Sequence, residues 1–97
     1  MNGKMIDKAI LDKAIPILKS YGVVHASIFG SFVRGEETPQ SDIDLLIQPP
    51  KGITLLGLGG LCSDLEEALH RTVDLVQYDF IKPALRETIT KEKIDIL

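Results

Sequence analysis

Gly30-Ser31-Phe32-Val33-Arg34-Gly35, followed after a polar connection by Ser41-Asp42-Ile43-Asp44-Leu45, is the stretch whose reading decides the fold of this 97-residue chain. Ten residues lie between Ser31 and Asp42. The run Val23 to Phe29 opens on two valines and closes on Ile-Phe, which predicts a buried strand leading into the Gly-Ser pair. Gly30 to Val33 then opens a short helix, Gly35 to Gln40 is a polar loop, and Asp42 to Ile47 is a second strand. A small turn at the head of a helix can hold phosphates. Two carboxylates on one face of a strand can hold a divalent metal. Together they predict a site for a metal-bound nucleoside triphosphate.

The chemistry of the acidic pair follows from strand geometry. Side chains alternate, so Asp42 and Asp44 point to one face about 7 Å apart. At an effective dielectric near 20 they repel by roughly 2–3 kcal/mol. The plain alternative is that Ser41-Asp42 closes a turn and Asp44 faces solvent. Against it, Ile43, Leu45 and Ile47 face one way while Leu46 follows the aspartates on the other, so both faces are partly buried and free carboxylates there are costly. With two metals bound, one can activate an attacking oxygen while the other steadies a leaving pyrophosphate.

Gly30 has no side chain, so turn N–H groups can approach a phosphate, and Ser31 adds a hydroxyl donor. Alone, Gly-Ser reads equally as a strand-to-helix turn with Ser as cap. Arg34 has two readings, a phosphate contact or a loop-ordering bond to an acid such as Glu36 or Glu37. Gly35 supplies an unusual backbone angle. Asp74 stands in the apolar Thr72-Val73-Asp74-Leu75-Val76, where a charge needs a partner: a metal shared with Asp42 and Asp44, or an ion pair with Arg71 or His25. His25 and His70 have no metal-ligand spacing. Cys62 falls beside a leucine stripe and reads as packing.

Working outward, Ile6, Ile10, Ala14, Ile17 and Leu18 recur at helical spacing over Ile6 to Ser20, with a break or kink expected at Pro16 and a cap at Gly22. Pro49-Pro50-Lys51-Gly52 is a connection. Leu58, Leu61, Leu65 and Leu69 form a helical stripe; Gly57, Gly59 and Gly60 weaken its first half by about 1 kcal/mol each relative to Ala, so the helix is placed from Leu61 onward. Thr72 to Gln77 is a third strand. Pro83 opens a last helix with Leu85 and Ile89 on its inner side, Asp79 is a candidate cap for it, and Ile94 to Leu97 forms a short edge strand. The expected class is α/β (α+β-like): one domain over 1–97, a small mixed sheet of three to four strands with helices packed on it.

Bulk properties narrow the partners. The chain is 44% hydrophobic and 26% charged, with net charge −3 and no run of Lys or Arg longer than two, which argues against nucleic acid as main partner. The single Cys62 forms no internal disulfide and fits a reducing cytosol. The segment Met1 to Lys8 has no signal core, and nowhere do about 18 apolar residues run together, so a cytoplasmic protein off the membrane is expected.

The stretch Gly30 to Leu45 resembles the nucleotidyltransferase superfamily typified by DNA polymerase beta, whose signature is Gly-Ser, a spacer, then Asp-x-Asp. In the form Gly-Ser-x-x-Arg-Gly with Ser-Asp-Ile-Asp-Leu it is most similar to the minimal nucleotidyltransferases of bacteria and archaea. The Val-Asp-Leu-Val at 73–76 and the Pro-x-Leu helix after it extend the likeness from about residue 22 to the end. The resemblance implies the nucleotidyltransferase fold, ATP as substrate, one or two Mg²⁺ ions on Asp42, Asp44 and Asp74, and triphosphate contacts from Gly30 and Ser31. It also implies a partner: many such chains act as antitoxins that transfer AMP to a tyrosine hydroxyl of a helical HEPN toxin ribonuclease. Larger relatives carry an acceptor-binding domain. None follows in this sequence, so the expectation is an acceptor brought by a partner protein, with a homodimer or hetero-complex covering the open side of the sheet. Two other readings stand beside it: a non-catalytic module that neutralises its partner by binding, and a small-molecule nucleotidyltransferase completed by another subunit.

Overall fold

The computed structural model describes residues 7–97, and the expected helical position of Ile6 lies outside them. The elements run α1 (Lys8–Ser20), β1 (His25–Phe29), α2 (Ser31–Arg34), β2 (Ile43–Gln48), α3 (Leu55–Leu69), β3 (Val73–Gln77), a 3₁₀ turn (Tyr78–Phe80), α4 (Pro83–Glu92) and β4 (Ile94–Asp95).

Local chemistry sets most of these boundaries. The Asp7 carboxylate caps α1 by accepting the Ala9 N–H at 2.9 Å. At its other end Gly22, at φ 77°, lets Val23 N–H return to Leu18 C=O and Gly22 N–H to Lys19 C=O. Leu18 and Val23 are both buried, which completes a Schellman stop. The break expected at Pro16 is absent, and α1 runs through it. Ala14 and Leu18, buried on either side of the proline, hold the helix to the core, so packing overrides the lost donor.

Helix α3 also begins earlier than its glycines predict, at Leu55. Thr54 caps it by accepting the Gly57 N–H at 3.0 Å. A Cβ at residue 60 would lie 3.1 Å from the Tyr21 Oη, so glycine there lets the end of α1 lie close against α3. The Tyr21 hydroxyl then donates to Asp64 at 2.5 Å.

The sheet has the order β3-β2-β1-β4, with β2 and β3 parallel and the other pairs antiparallel. The parallel pair is joined through α3, which packs with α1 on one face. That face holds the main core: Ala26, Ile28, Ile43, Leu45, Ile47 and Val73 meet Ala14, Leu18, Leu61 and Leu65. Each fully buried Leu or Ile here contributes about 1.5–3 kcal/mol.

On the opposite face Leu46 packs with Ile81 and Ile89, flanked by Phe29 and Val76. Here the structure corrects the expectation for α4. Only Ile89 is buried on the sheet, while Leu85, one turn earlier, is 51% exposed. The N-cap of α4 is Lys82 with no side-chain bond, so Asp79, which lies in the 3₁₀ turn, does not cap it. Helix α4 thus covers only part of this face and leaves the carboxylate end of β2 and β3 open. Among the described residues no helix is long and apolar enough to cross a membrane.

Candidate active site

The Gly-Ser turn is held in a shape that only glycine adopts. Gly30 sits at φ 82°, ψ −151°, a region closed to side chains with a Cβ. Its carbonyl accepts from the N–H groups of Val33 and Arg34 at 3.0 and 3.2 Å, closing the single turn of α2. Phe32 and Val33 are buried and pin that turn, and Gly35, at φ 73°, ends it in the left-handed conformation. A Cβ on residue 30 would overlap Oδ2 of Asp44 and lie 3.2 Å from its Cγ. The turn and the acidic strand therefore touch at a point with no room for another atom.

Strand register brings the carboxylates together. Asp44 lies opposite Phe29 on one side and opposite Asp74 on the other. Asp42 precedes β2, in the last loop position before the strand, and is exposed, as is Asp74; Asp44 is partly buried. Burial raises the Asp44 carboxyl above the usual carboxylate range, and the charges of Asp74 and Asp42 raise it further. Arg34 opposes the rise and Glu92 adds to it. A partly buried acid pushed up by two acidic neighbours marks a place where a cation would be stabilised.

The ion-pair alternative for Asp74 is not realised. Nη1 of Arg71 donates instead to the carbonyls of Thr38, Ser41 and Pro39 at 2.9, 3.1 and 3.4 Å, and its guanidinium lies 4.9 Å over the Phe32 ring. His25 is at the far end of β1, opposite Gln48. Among the described residues no three His, Cys, Asp or Glu side chains form a ready-made metal cage. The donors present are hard carboxylate oxygens, and Mg²⁺ is ordinarily held by one or two of these plus waters and substrate phosphate. An open acidic pair with a third carboxylate beside it fits that mode.

Arg34 is engaged by acids. Its Nε donates to Glu36 at 2.9 Å, and its Nη1 to both oxygens of Glu92 at 3.2 and 3.1 Å. Glu92 Oε1 also accepts the Gly30 N–H at 2.9 Å. Glu92 and Arg71 thus order the two loops of the site, yet nothing local in the sequence singles out Glu92 or points Arg71 to the 38–41 loop. Glu92 closes a polar last helical turn, and Arg71 follows His70, the C-cap of α3.

Among the described residues, two of the clefts bear on this face of the sheet. One of about 300 Å³ starts at Asp74 and is lined by Phe29, Val76, Ile81, Leu85 and Ile89, with the exposed Phe80 at its lip. The other, of about 350 Å³, lies toward His25, Gln48 and Lys93 and touches none of the three aspartates.

Comparison with known proteins places this geometry. The family described as polymerase beta, nucleotidyltransferase, matches residues 12–97. A provisionally named protein adenylyltransferase of Methanocaldococcus jannaschii, MJ0435, is 46% identical over 85 residues, which cover 88% of this chain and 91% of that relative. A solved structure described as a provisional minimal nucleotidyltransferase superposes with a TM-score of 0.78 at 36% identity, over 90% of this chain and 89% of its own. The fold also recurs, with a TM-score of 0.73 and 21% identity over 93% of this chain and 71% of the other, in a tri-AMPylated Shewanella oneidensis HEPN toxin in complex with MNT antitoxin. The chain belongs to the polymerase beta nucleotidyltransferase family.

Proposed function

We propose that this chain is a Mg²⁺-dependent protein adenylyltransferase that moves AMP from ATP onto a tyrosine hydroxyl of a HEPN-type toxin, and so acts as the antitoxin of the pair. The observation that carries the reading is the meeting of Asp42, Asp44 and Asp74 beside a glycine turn too tight for any side chain. The name given to MJ0435 supports adenylyl transfer to protein, and the Shewanella complex supports the partner.

On this reading Asp42, Asp44 and Asp74 would hold one or two Mg²⁺ ions. Magnesium supplies charge neutralisation on the phosphates and stabilises the departing pyrophosphate. Gly30 allows the triphosphate close to the backbone, and Ser31 donates its hydroxyl. Arg34 offers its remaining guanidinium donors to a phosphate oxygen. Asp74, at the mouth of the apolar cleft, accepts the proton of the acceptor hydroxyl. The acceptor oxygen bonds to the α-phosphorus as the bond from that phosphorus to pyrophosphate breaks. Most of the acceleration is positioning and electrostatics, because phosphoryl transfer asks little covalent chemistry of the protein. The acceptor comes with a partner in a hetero-complex, and the place of work is the cytosol, where ATP is abundant.

The test is transfer of label from ATP carrying it on the α-phosphate to a co-purified partner, read by mass as whole AMP units. Asp42→Asn and Asp44→Asn are expected to abolish it. Wild-type transfer by both variants would overturn the reading. Relief of toxicity by a variant that transfers nothing would instead support neutralisation by binding alone.

A further inference from the structure

Glu92 is the last residue of α4, 62 positions from the glycine it holds. Its carboxylate makes a three-point contact: Oε1 takes the Gly30 N–H at 2.9 Å, and both oxygens take Nη1 of Arg34 at 3.2 and 3.1 Å. The side chain is only 19% exposed, whereas Glu36, the other acid on Arg34, is 63% exposed. A contact made by a shielded carboxylate is less screened, so Glu92 is the stronger of the two anchors. With Nε on Glu36 and Nη1 on Glu92, Nη2 of Arg34 has no partner among the described residues. The same carboxylate thus holds the Gly30 peptide, which abuts Asp44, and fixes the guanidinium of Arg34 through Nη1 while leaving Nη2 without a bond.

We infer that Glu92 is a positioning residue for nucleotide binding: it locks the Gly30 turn against Asp44 and aims Arg34, so that the phosphate donors are in place before the nucleotide arrives. The inference rests on the nucleotidyltransferase reading of the site. It runs against simple electrostatics, since removing a negative charge near an anion site would by itself tighten binding. Pre-organisation and charge repulsion therefore predict opposite signs, and the sign is measurable.

The experiment is equilibrium binding of α,β-methylene-ATP with Mg²⁺ to the full chain, at a temperature where circular dichroism shows each variant folded. Glu92→Ala is expected to weaken binding by about tenfold, the size of one lost charge-assisted hydrogen bond. Glu92→Gln keeps an acceptor for the Gly30 N–H and is expected to recover part of that loss. In an Arg34→Ala background Glu92→Ala should do less than it does alone, because the two act together. The Gly30 amide resonance in a ¹⁵N-correlated spectrum should move in Glu92→Ala while core amides such as those of Leu45 and Leu61 stay. Binding that is unchanged or tighter in folded Glu92→Ala overturns the inference, as does a Gly30 amide that does not move. A wild-type chain that binds no Mg²⁺-nucleotide refutes the reading of the site itself, whereas wild-type binding insensitive to Glu92 refutes this inference alone.

Discussion

Replacing Gly30 by alanine tests the close approach of the glycine turn to Asp44. The backbone there, at φ 82° and ψ −151°, is closed to any residue with a Cβ, and forcing alanine into it costs about 1–3 kcal/mol. The added methyl would also overlap Oδ2 of Asp44. Pushing that carboxylate aside against packed neighbours adds about 1–3 kcal/mol, so the sum is about 2–6 kcal/mol. If the carboxylate rotates away freely, the loss sits near the lower figure, but the side chain proposed to hold Mg²⁺ has been moved. Urea unfolding should show the midpoint fall with unchanged m-value, and thermal unfolding should show Tm lower by at least about 8 °C. Mg²⁺-dependent nucleotide binding, measured on the folded fraction, should be lost alongside. A Gly30→Ala variant as stable as wild type would refute the backbone argument. One that is destabilised but binds nucleotide normally would refute the placement of Asp44 at the site.

Four further outcomes follow from the charged groups of the sheet. Asp44→Asn should stabilise the fold by about 1 kcal/mol, after allowance for solvent screening, while abolishing transfer, because it removes a charge disfavoured first by burial and then by Asp74 and Asp42; a loss of stability on urea titration would count against that penalty. Since the Asp44 pKa is raised on folding, the native protein holds a proton that the unfolded chain has already lost. Asp44 therefore lowers stability as pH rises through the interval between its ordinary and its folded value, and that slope should vanish in Asp44→Asn. Mg²⁺-dependent activity should move the other way, falling on the acid side at a higher pH than an ordinary carboxylate would give when Mg²⁺ is subsaturating. The shift should shrink as Mg²⁺ is raised, because the cation favours the charged carboxylate; pH–rate profiles at low and high Mg²⁺ would show it. At the far end of the sheet, Ser27→Ala should cost about 1 kcal/mol, since the buried hydroxyl donates to Asp95 at 2.5 Å. Lys93 first and Ser27 second hold the Asp95 carboxyl below its usual range, so this contribution is present at neutral pH and lost as pH falls through the folded value. A Ser27→Ala variant with unchanged acid unfolding would contradict that bond.

The order of strands and helices, and the pairing of Gly-Ser with the aspartates, are legible in the sequence because both depend on short-range pattern. Alternation puts Ile43, Leu45 and Ile47 on one face and Asp44 with Leu46 on the other, and the structure keeps that division. Local signals fail where packing outweighs propensity. Pro16 does not break α1 because Ala14 and Leu18 are anchored in the core, and the glycines of α3 are tolerated because Thr54 caps the helix and Gly60 makes room for Tyr21. Leu85 shares its helical stripe with Ile89, yet only Ile89 reaches Leu46 and Ile81. Periodicity defines a face but not how far along it the neighbouring layer extends. Glu92, and the bonds of Arg71 to the 38–41 loop, escape the sequence for a different reason: the partners lie 62 and about 30 positions away, and no local rule links such residues.

That separation also says when the site forms. Asp44 and Asp74 meet through a parallel strand pair with the whole of α3 between them, and the Gly30 N–H is fastened by the end of α4. Parallel pairing and long loop closure are slow steps, because chain entropy must be lost before the contacts repay it. A nascent or refolding chain can carry its Gly-Ser and both aspartates and still have no place for a nucleotide. Nucleotide affinity is then a late-arriving property of the fold, and ligand present during refolding would act at the last stage, drawing completed molecules out of the partly folded pool.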